Sequence, residues 1–146
     1  MLFKRKIYDK FLAWKTECAG KKALLVEGAR RIGKSTVVEE FAKNEYKSYI
    51  LIDFAKASSD VKEYFQLYLN DLDTFFMLLS VQYGVQLHER DSVIIFDEVQ
   101  LFPKAREAIK YLVADGRYDY METGSLISIK ENVKDIVIPS EERQMK

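Results

Sequence analysis

One short segment near the N-terminus has the residue types and the spacing that bind phosphate. Residues 28–35 read GARRIGKS and match the pattern G-x-x-x-x-G-K-[ST] at each fixed position. The glycines let the backbone curl so that its N–H groups point at phosphate oxygens, and a helix that starts there adds its dipole. Lys34 then reaches the β- and γ-phosphates, and the Ser35 hydroxyl is a ligand for Mg²⁺. The segment predicts a loop that binds a nucleoside triphosphate together with Mg²⁺.

The residues that we expect to contact the nucleotide are Gly28, Ala29, Arg30, Arg31, Ile32, Gly33, Lys34, Ser35 and Thr36. Thr36 is expected on the α-phosphate side. For Arg30 and Arg31 two interpretations stay open. They neutralise phosphates, either of the nucleotide bound to this loop or of a neighbouring subunit's nucleotide, or they form a solvated basic loop.

A second candidate group is the acidic pair that follows the most apolar run of the chain. Asp97 and Glu98 come directly after Val93–Phe96. In a protein with a phosphate loop, an acid at the end of a neighbouring strand lies beside the phosphates. Asp97 is then expected to orient the Mg²⁺ shell, and Glu98 to polarise the attacking water. Without the phosphate loop upstream, the same two residues would equally fit a pair of solvated acids that simply end a strand.

A third candidate group follows another strand at Thr123, Gly124 and Ser125. A hydroxyl there, from Thr123 or Ser125, would contact the γ-phosphate or the attacking water. Thr-Gly-Ser is also an ordinary way for a strand to end.

The elements that must position these groups alternate along the chain. Apolar stretches KKALLVEG, SYILIDF, DSVIIFDE and RYDYMETGS predict strands, and helical spacing between them predicts helices. Pro103 suits the first turn of a helix that runs to Asp115, and Gly116 lies just past its end. Strands that are aliphatic on both faces and alternate with helices predict an α/β fold, a parallel sheet between two helical layers with right-handed crossovers.

We expect one P-loop ATPase domain over residues 1–146, because this length suits a single domain. Its expected parts are an amphipathic N-terminal helix over about residues 4–19, a nucleotide-binding core over about 22–126, and a polar C-terminal segment over 127–146.

Composition excludes several classes of protein. Lys plus Arg and Asp plus Glu are 23 each, so the chain as a whole has no basic field that would attract nucleic acid. The single cysteine, Cys18, excludes an intramolecular disulfide and a cysteine-based zinc site. The sequence has no apolar run that could span a membrane and no signal-peptide core, so we expect a cytoplasmic protein.

Related nucleotide-binding classes fit less well. The stretch Asn132 to Asp135 has the letters of a guanine-reading motif in the wrong order, and no G-x-G-x-x-G of a dinucleotide site is present. Small-molecule kinases usually carry an arginine-rich lid and lack the acidic pair. Adenine as the base follows from this elimination and from the resemblance described next.

The strings GARRIGKS, VIIFDEVQLFPKAREAIKYLV and DYMETGSLISIKENVKDIVIPSEE together resemble a group of AAA-like prokaryotic ATPases, over almost the whole chain. The resemblance implies a phosphate loop at residues 28–36, Mg²⁺ coordination by Ser35 and Asp97, a catalytic Glu98, and a sensor at Thr123 or Ser125. It also implies the strand order 5-1-4-3-2.

Members of this group typically continue into a last strand, a lid and a C-terminal domain, whereas this sequence ends at Lys146. We therefore expect a truncated chain in which the last strand is missing. The first strand would then be an exposed edge through which the chain self-associates. After Thr123 the sequence offers only Arg143 as an arginine finger.

The sequence thus predicts an enzyme that binds ATP and Mg²⁺ and hydrolyses ATP to ADP and phosphate, driving a conformational change in an attached domain or partner. Two alternatives stay open: an ATP-gated binding module without significant turnover, and a phosphotransferase. The sequence does not identify the partner.

Overall fold

The computed structural model describes residues 2–28, 33–124 and 133–138. The helices are α1 (Leu2–Cys18), α2 (Lys34–Glu45), α3 (Ser59–Leu67), α4 (Leu72–Tyr83) and α5 (Pro103–Asp115), with a 3₁₀ helix at Val99–Leu101. The strands are β1 (Ala23–Gly28), β2 (Ser48–Asp53), β3 (Ser92–Asp97), β4 (Asp119–Gly124) and β5 (Val133–Ile138).

Local sequence signals explain where several helices begin and end. The side chains of Ser58 and Asp71 accept hydrogen bonds from the first-turn N–H groups of α3 and α4. Gly84 and Gly116 end α4 and α5 in the left-handed conformation that glycine adopts most easily. The predicted helix from Pro103 to Asp115 is confirmed at both ends.

All described strands are parallel, in the order β2-β3-β4-β1-β5. Alternate residues of the central strands face opposite helical layers, as the period of two in a strand requires. Leu24 of β1 and Ile95 of β3 pack with α1 and α2, whereas Leu25 and Ile94 pack with α3, α4 and α5. The predicted α/β fold, a parallel sheet between helices in the order 5-1-4-3-2, is confirmed.

The prediction that the last strand is missing is wrong. Val133–Ile138 forms β5 and pairs in parallel with β1 along its whole length, within the segment that we expected to be polar. Lys134 and Asp135 interrupt the apolar pattern there, and charged residues are tolerated in a strand at the edge of a sheet. Because β1 lies between β4 and β5, it is not an exposed edge, and the predicted route to self-association loses its structural basis.

Within the described residues, no helix has both the length and the apolar character that crossing a membrane requires.

Candidate functional site

The carboxyl ends of β1, β3 and β4 meet at one edge of the sheet. Gly28 ends β1, Asp97 ends β3, and Thr123 is the next-to-last residue of β4. Because β4 lies between β1 and β3 in a parallel sheet, these strand ends adjoin one another and the start of α2. This edge is where open parallel sheets bind their ligands.

The N-terminus of α2 has the backbone conformation and the charge that suit an anion. Gly33 precedes the helix in the left-handed conformation, with φ 74°, and a Cβ at this position would meet no atom of the described residues within 4 Å. Glycine is favoured here for its conformation. Among the described residues no side chain caps the helix, and its first turn contains no acidic residue. The first N–H groups of α2 and the positive end of its dipole remain available to a ligand.

Lys34 is a buried cation with no hydrogen-bond acceptor in the described part of the chain. The residue is 1% exposed, and its Nζ lies 3.7 Å from Glu98 Oε2, which is too long for a hydrogen bond. An ammonium group carries three donors, and burying them without partners costs free energy. Phosphate oxygens would satisfy these donors, so Lys34 fits the nucleotide that the sequence predicts.

Asp97 accepts two hydrogen bonds from hydroxyl groups on different elements. Ser35 Oγ donates to Asp97 Oδ1 over 2.6 Å, and Thr123 Oγ1 donates to the same oxygen over 2.6 Å. Asp97 is 7% exposed, and no basic side chain of the described residues lies within salt-bridge distance of it. A hydroxyl and a carboxylate side by side are the oxygen ligands that Mg²⁺ prefers, so this pair fits the metal.

Glu98 has an unusual backbone conformation for a residue with a side chain. Its φ of 58° lies in the left-handed region, which costs a non-glycine residue about 1–2 kcal/mol. Its N–H donates to Thr123 Oγ1 over 2.9 Å, and its Oε1 accepts from Gln100 Nε2 over 2.7 Å. Backbone strain of this kind clusters at functional sites. Glu98 is 8% exposed, and its carboxylate lies 3.7 Å from Lys34 Nζ.

The structure therefore brings Lys34, Ser35, Asp97, Glu98 and Thr123 together. Thr36 lies in the first turn of α2 and is exposed. The predicted contacts that lie outside the described residues are Ala29, Arg30, Arg31, Ile32 and Ser125.

Sequence reasoning missed two polar residues near this edge. Gln100 contacts Glu98, and the only signal for it is its position two residues further on. Arg106 of α5 forms a 2.7 Å ion pair with Glu122, whose neighbour Thr123 faces the opposite side of the sheet. Strand periodicity separates Glu122 from Thr123, but no pattern identifies Arg106 as its partner.

A family model described as the AAA domain matches residues 20–137. The chain belongs to the AAA domain family. The match runs from just before β1 into β5 and includes each site residue named above. An AAA domain is an ATPase-like, nucleotide-hydrolysing domain that binds its nucleotide usually with Mg²⁺.

The fold of this AAA domain is similar to that of a solved structure. PCH-2 from C. elegans matches with a TM-score of 0.51 and 14% sequence identity. The match covers 90% of this chain and 41% of the PCH-2 chain, so this AAA domain spans less than half of that protein. At this identity the likeness supports the fold. No protein with a curated description matches the chain.

Proposed function

We propose that this AAA domain binds ATP with Mg²⁺ and hydrolyses it to ADP and phosphate. The observation that carries the proposal is the buried Lys34 amine, which has no hydrogen-bond acceptor among the described residues and lies beside a buried pair of carboxylates, Asp97 and Glu98. Among the described residues, Lys34 lies 3.7 Å from Glu98 but has no hydrogen-bond acceptor, and Asp97 has no basic side chain within salt-bridge distance. A metal–phosphate ligand would complete this charge pattern.

The binding roles follow from position. Lys34 and the first N–H groups of α2 hold the phosphates, as do the loop residues 28–33 that precede them. Ser35 and Asp97 hold Mg²⁺, which neutralises charge on the phosphates when it is bound. The 2.6 Å contact between these two residues supports this role, because it brings the start of α2 and the end of β3 within reach of one ligand.

The chemical role belongs to Glu98. Its carboxylate accepts a proton from a water molecule while the water oxygen bonds to the γ-phosphorus. The bond from that phosphorus to the oxygen bridging the β- and γ-phosphates breaks, and the electron pair leaves with ADP. The proton held on Glu98 then passes to the products, which restores the carboxylate.

Thr123 connects the two carboxylates. Its hydroxyl donates to Asp97 and accepts from the Glu98 backbone N–H, so it holds the metal ligand and the water-activating residue at a fixed separation. We propose that Thr123 reports the state of the nucleotide through these two bonds, together with Ser125 at the same strand end. The resulting change in conformation would act on an attached domain or a partner.

The test is phosphate release from Mg-ATP by the wild type and by Glu98→Gln. A general base contributes about 10²- to 10⁴-fold, so we expect at least a ~100-fold lower rate with little change in ATP affinity. Glu107→Gln, an exposed glutamate of α5, is the matched control and should release phosphate at the wild-type rate.

Other outcomes identify the alternative functions. Tight ATP binding without phosphate release by the wild type would contradict hydrolysis and favour an ATP-gated binding module. Release that requires an added acceptor, and none without it, would indicate a phosphotransferase.

A further inference from the structure

Gln100 holds one oxygen of the Glu98 carboxylate. Gln100 Nε2 donates to Glu98 Oε1 over 2.7 Å, whereas the other oxygen, Oε2, faces Lys34 Nζ at 3.7 Å. The short contact is thus made by Gln100 and the long one by Lys34. In the described part of the chain, Gln100 is the side chain that fixes the direction in which the Glu98 carboxylate points.

The contact depends on the unusual backbone at Glu98. Side chains two residues apart do not face each other in a regular helix. With φ 58° at Glu98, the chain turns into the 3₁₀ helix Val99–Leu101, and Leu101 N–H donates to the Glu98 carbonyl over 3.0 Å. This turn brings the Gln100 amide back onto the Glu98 carboxylate.

The turn itself is anchored in the core. Phe102, which follows the 3₁₀ helix, stacks on Phe54 with ring centroids 5.4 Å apart and meets Phe65 edge-on at 5.8 Å. Val99 is fully buried. Because these apolar residues hold the turn on both sides of Gln100, the turn does not need the Gln100 amide for its own stability.

The oxygen of the Gln100 amide also indicates that this amide is not needed for the stability of the turn. Gln100 Oε1 is buried and has no hydrogen-bond partner among the described residues. A buried carbonyl without a donor costs free energy, and this cost offsets much of what the bond from Gln100 to Glu98 contributes to the stability of the fold. The assignment of the two amide atoms follows from Glu98, because a carboxylate accepts hydrogen bonds and only the NH₂ end can donate to it.

We propose that Gln100 is a positioning residue for Glu98: its amide N–H holds the carboxylate in the direction needed to take the proton from the attacking water. This inference rests on the proposed hydrolytic function. A misplacement of about 1 Å in a catalytic group can cost up to ~10²-fold in rate, which gives Gln100 a measurable role without any contact to the nucleotide.

The test compares Gln100→Met, which keeps the length of the side chain and removes the donor, with the wild type. We expect kcat to fall by about 10- to 100-fold while KM and the calorimetric affinity for Mg-ATP change by less than about twofold. The thermal midpoint should change little, because the variant removes a buried carbonyl without a donor and also the hydrogen bond to Glu98, and these two effects oppose each other. Gln66→Met, an exposed glutamine of α3, is the matched control and should behave as the wild type.

The double variant tests whether Gln100 acts through Glu98. In the Glu98→Gln background, Gln100→Met should lower the residual rate by less than about twofold, because residues that act as a unit are not additive. A further 10-fold loss in that background would overturn the proposal, as would a normal kcat for Gln100→Met. A lower thermal midpoint with KM and kcat changing together would show a structural role and would also overturn it.

The same measurements distinguish this inference from the proposed function. If the wild type hydrolyses ATP, Glu98→Gln does not and Gln100→Met does so normally, only the role of Gln100 is wrong. If the wild type shows no turnover, the proposed function is wrong and the inference falls with it.

Discussion

Two buried aspartates at opposite ends of neighbouring strands differ in what surrounds their charge. Asp119 begins β4 and is 5% exposed, and Asp97 ends β3 and is 7% exposed. Asp119 accepts from Arg90 over 2.6 Å and from the Tyr46 hydroxyl over 2.5 Å. Asp97 accepts from two hydroxyl groups, and no basic side chain of the described residues lies within salt-bridge distance of it.

This difference supports the proposed role of Asp97 as a ligand for a cation and indicates a structural role for Asp119. A buried carboxylate loses its hydration, and an ion pair with good hydrogen bonds offsets that loss. Arg90 supplies the cation for Asp119 within the fold. Asp97 has acceptor capacity and negative charge that hydroxyl groups alone do not neutralise, so a cation from solution is the partner that it suits.

The largest expected effect is on the gain in ATP affinity that Mg²⁺ provides. Asp97→Asn keeps the shape and an acceptor for both hydroxyls but removes the charge. We expect it to lose most of the difference in affinity between Mg²⁺ and EDTA, about 10- to 100-fold, since a charged contact contributes about 1.5–3 kcal/mol. Calorimetry in both solutions measures this. Asp119→Asn is the matched control. An equal loss of Mg²⁺-dependent affinity in this variant would contradict the different roles of the two aspartates.

The next effect is on the free energy of unfolding, with a different sign for the two aspartates. Asp119→Asn should lower it by about 1–2 kcal/mol, because Tyr46 and Arg90 lose a charged acceptor. The Arg90 side chain is 43% exposed, so water compensates for part of the ion pair that Arg90 loses. Asp97→Asn should leave the free energy of unfolding unchanged or raise it, because a buried charge without a cation is removed. Urea denaturation measures both, and a larger loss for Asp97→Asn would contradict this assignment of roles.

The smallest effect appears at high pH and comes from Tyr46. Burial, and then the charge of Asp119 and the hydrogen bond to it, raise the pKa of Tyr46 above its ordinary value of 10. The folded state therefore keeps this proton after the unfolded state has lost it. Its stabilising contribution is complete below about pH 10 and declines as the pH rises further.

Replacing Tyr46 with phenylalanine tests this sign. From pH 10 to 11 the free energy of unfolding of the wild type should fall more steeply than that of Tyr46→Phe, by roughly 1 kcal/mol per pH unit for one proton. Urea denaturation at several pH values gives both slopes. Equal slopes in the two proteins would show that Tyr46 does not keep its proton in the fold.

The sequence predicts one of these aspartates and not the other, for a physical reason. Asp97 follows a strongly apolar strand, and the ends of parallel strands share one edge of the sheet, so its neighbourhood with Ser35 could be inferred from pattern. Asp119 begins a weakly patterned strand, and its partners Tyr46 and Arg90 come from distant turns of the chain. No periodicity relates them.

Whether a feature depends on local pattern or on distant contacts also explains which other parts of the structure the sequence predicts. The apolar strands and the helix from Pro103 to Asp115 could be predicted from local signals, whereas the strand order came from the resemblance to AAA-like ATPases. The sequence did not predict β5, because a strand that pairs only with β1 among the described strands needs less apolar pattern than a central strand. Gln100 was missed because its contact depends on the positive φ of Glu98, which residue types do not reveal.

The most direct test of the site is a calorimetric titration of Mg-ATP into the wild type, Lys34→Ala and Lys43→Ala. Lys43 is exposed in the last turn of the same helix, so its variant removes an equal charge away from the site. We expect Lys34→Ala to weaken binding by about 100-fold, and Lys43→Ala to bind within about twofold of the wild type. Folded wild-type protein that binds no Mg-ATP, or a Lys34→Ala variant that binds it as well as the wild type, would contradict the proposed nucleotide site.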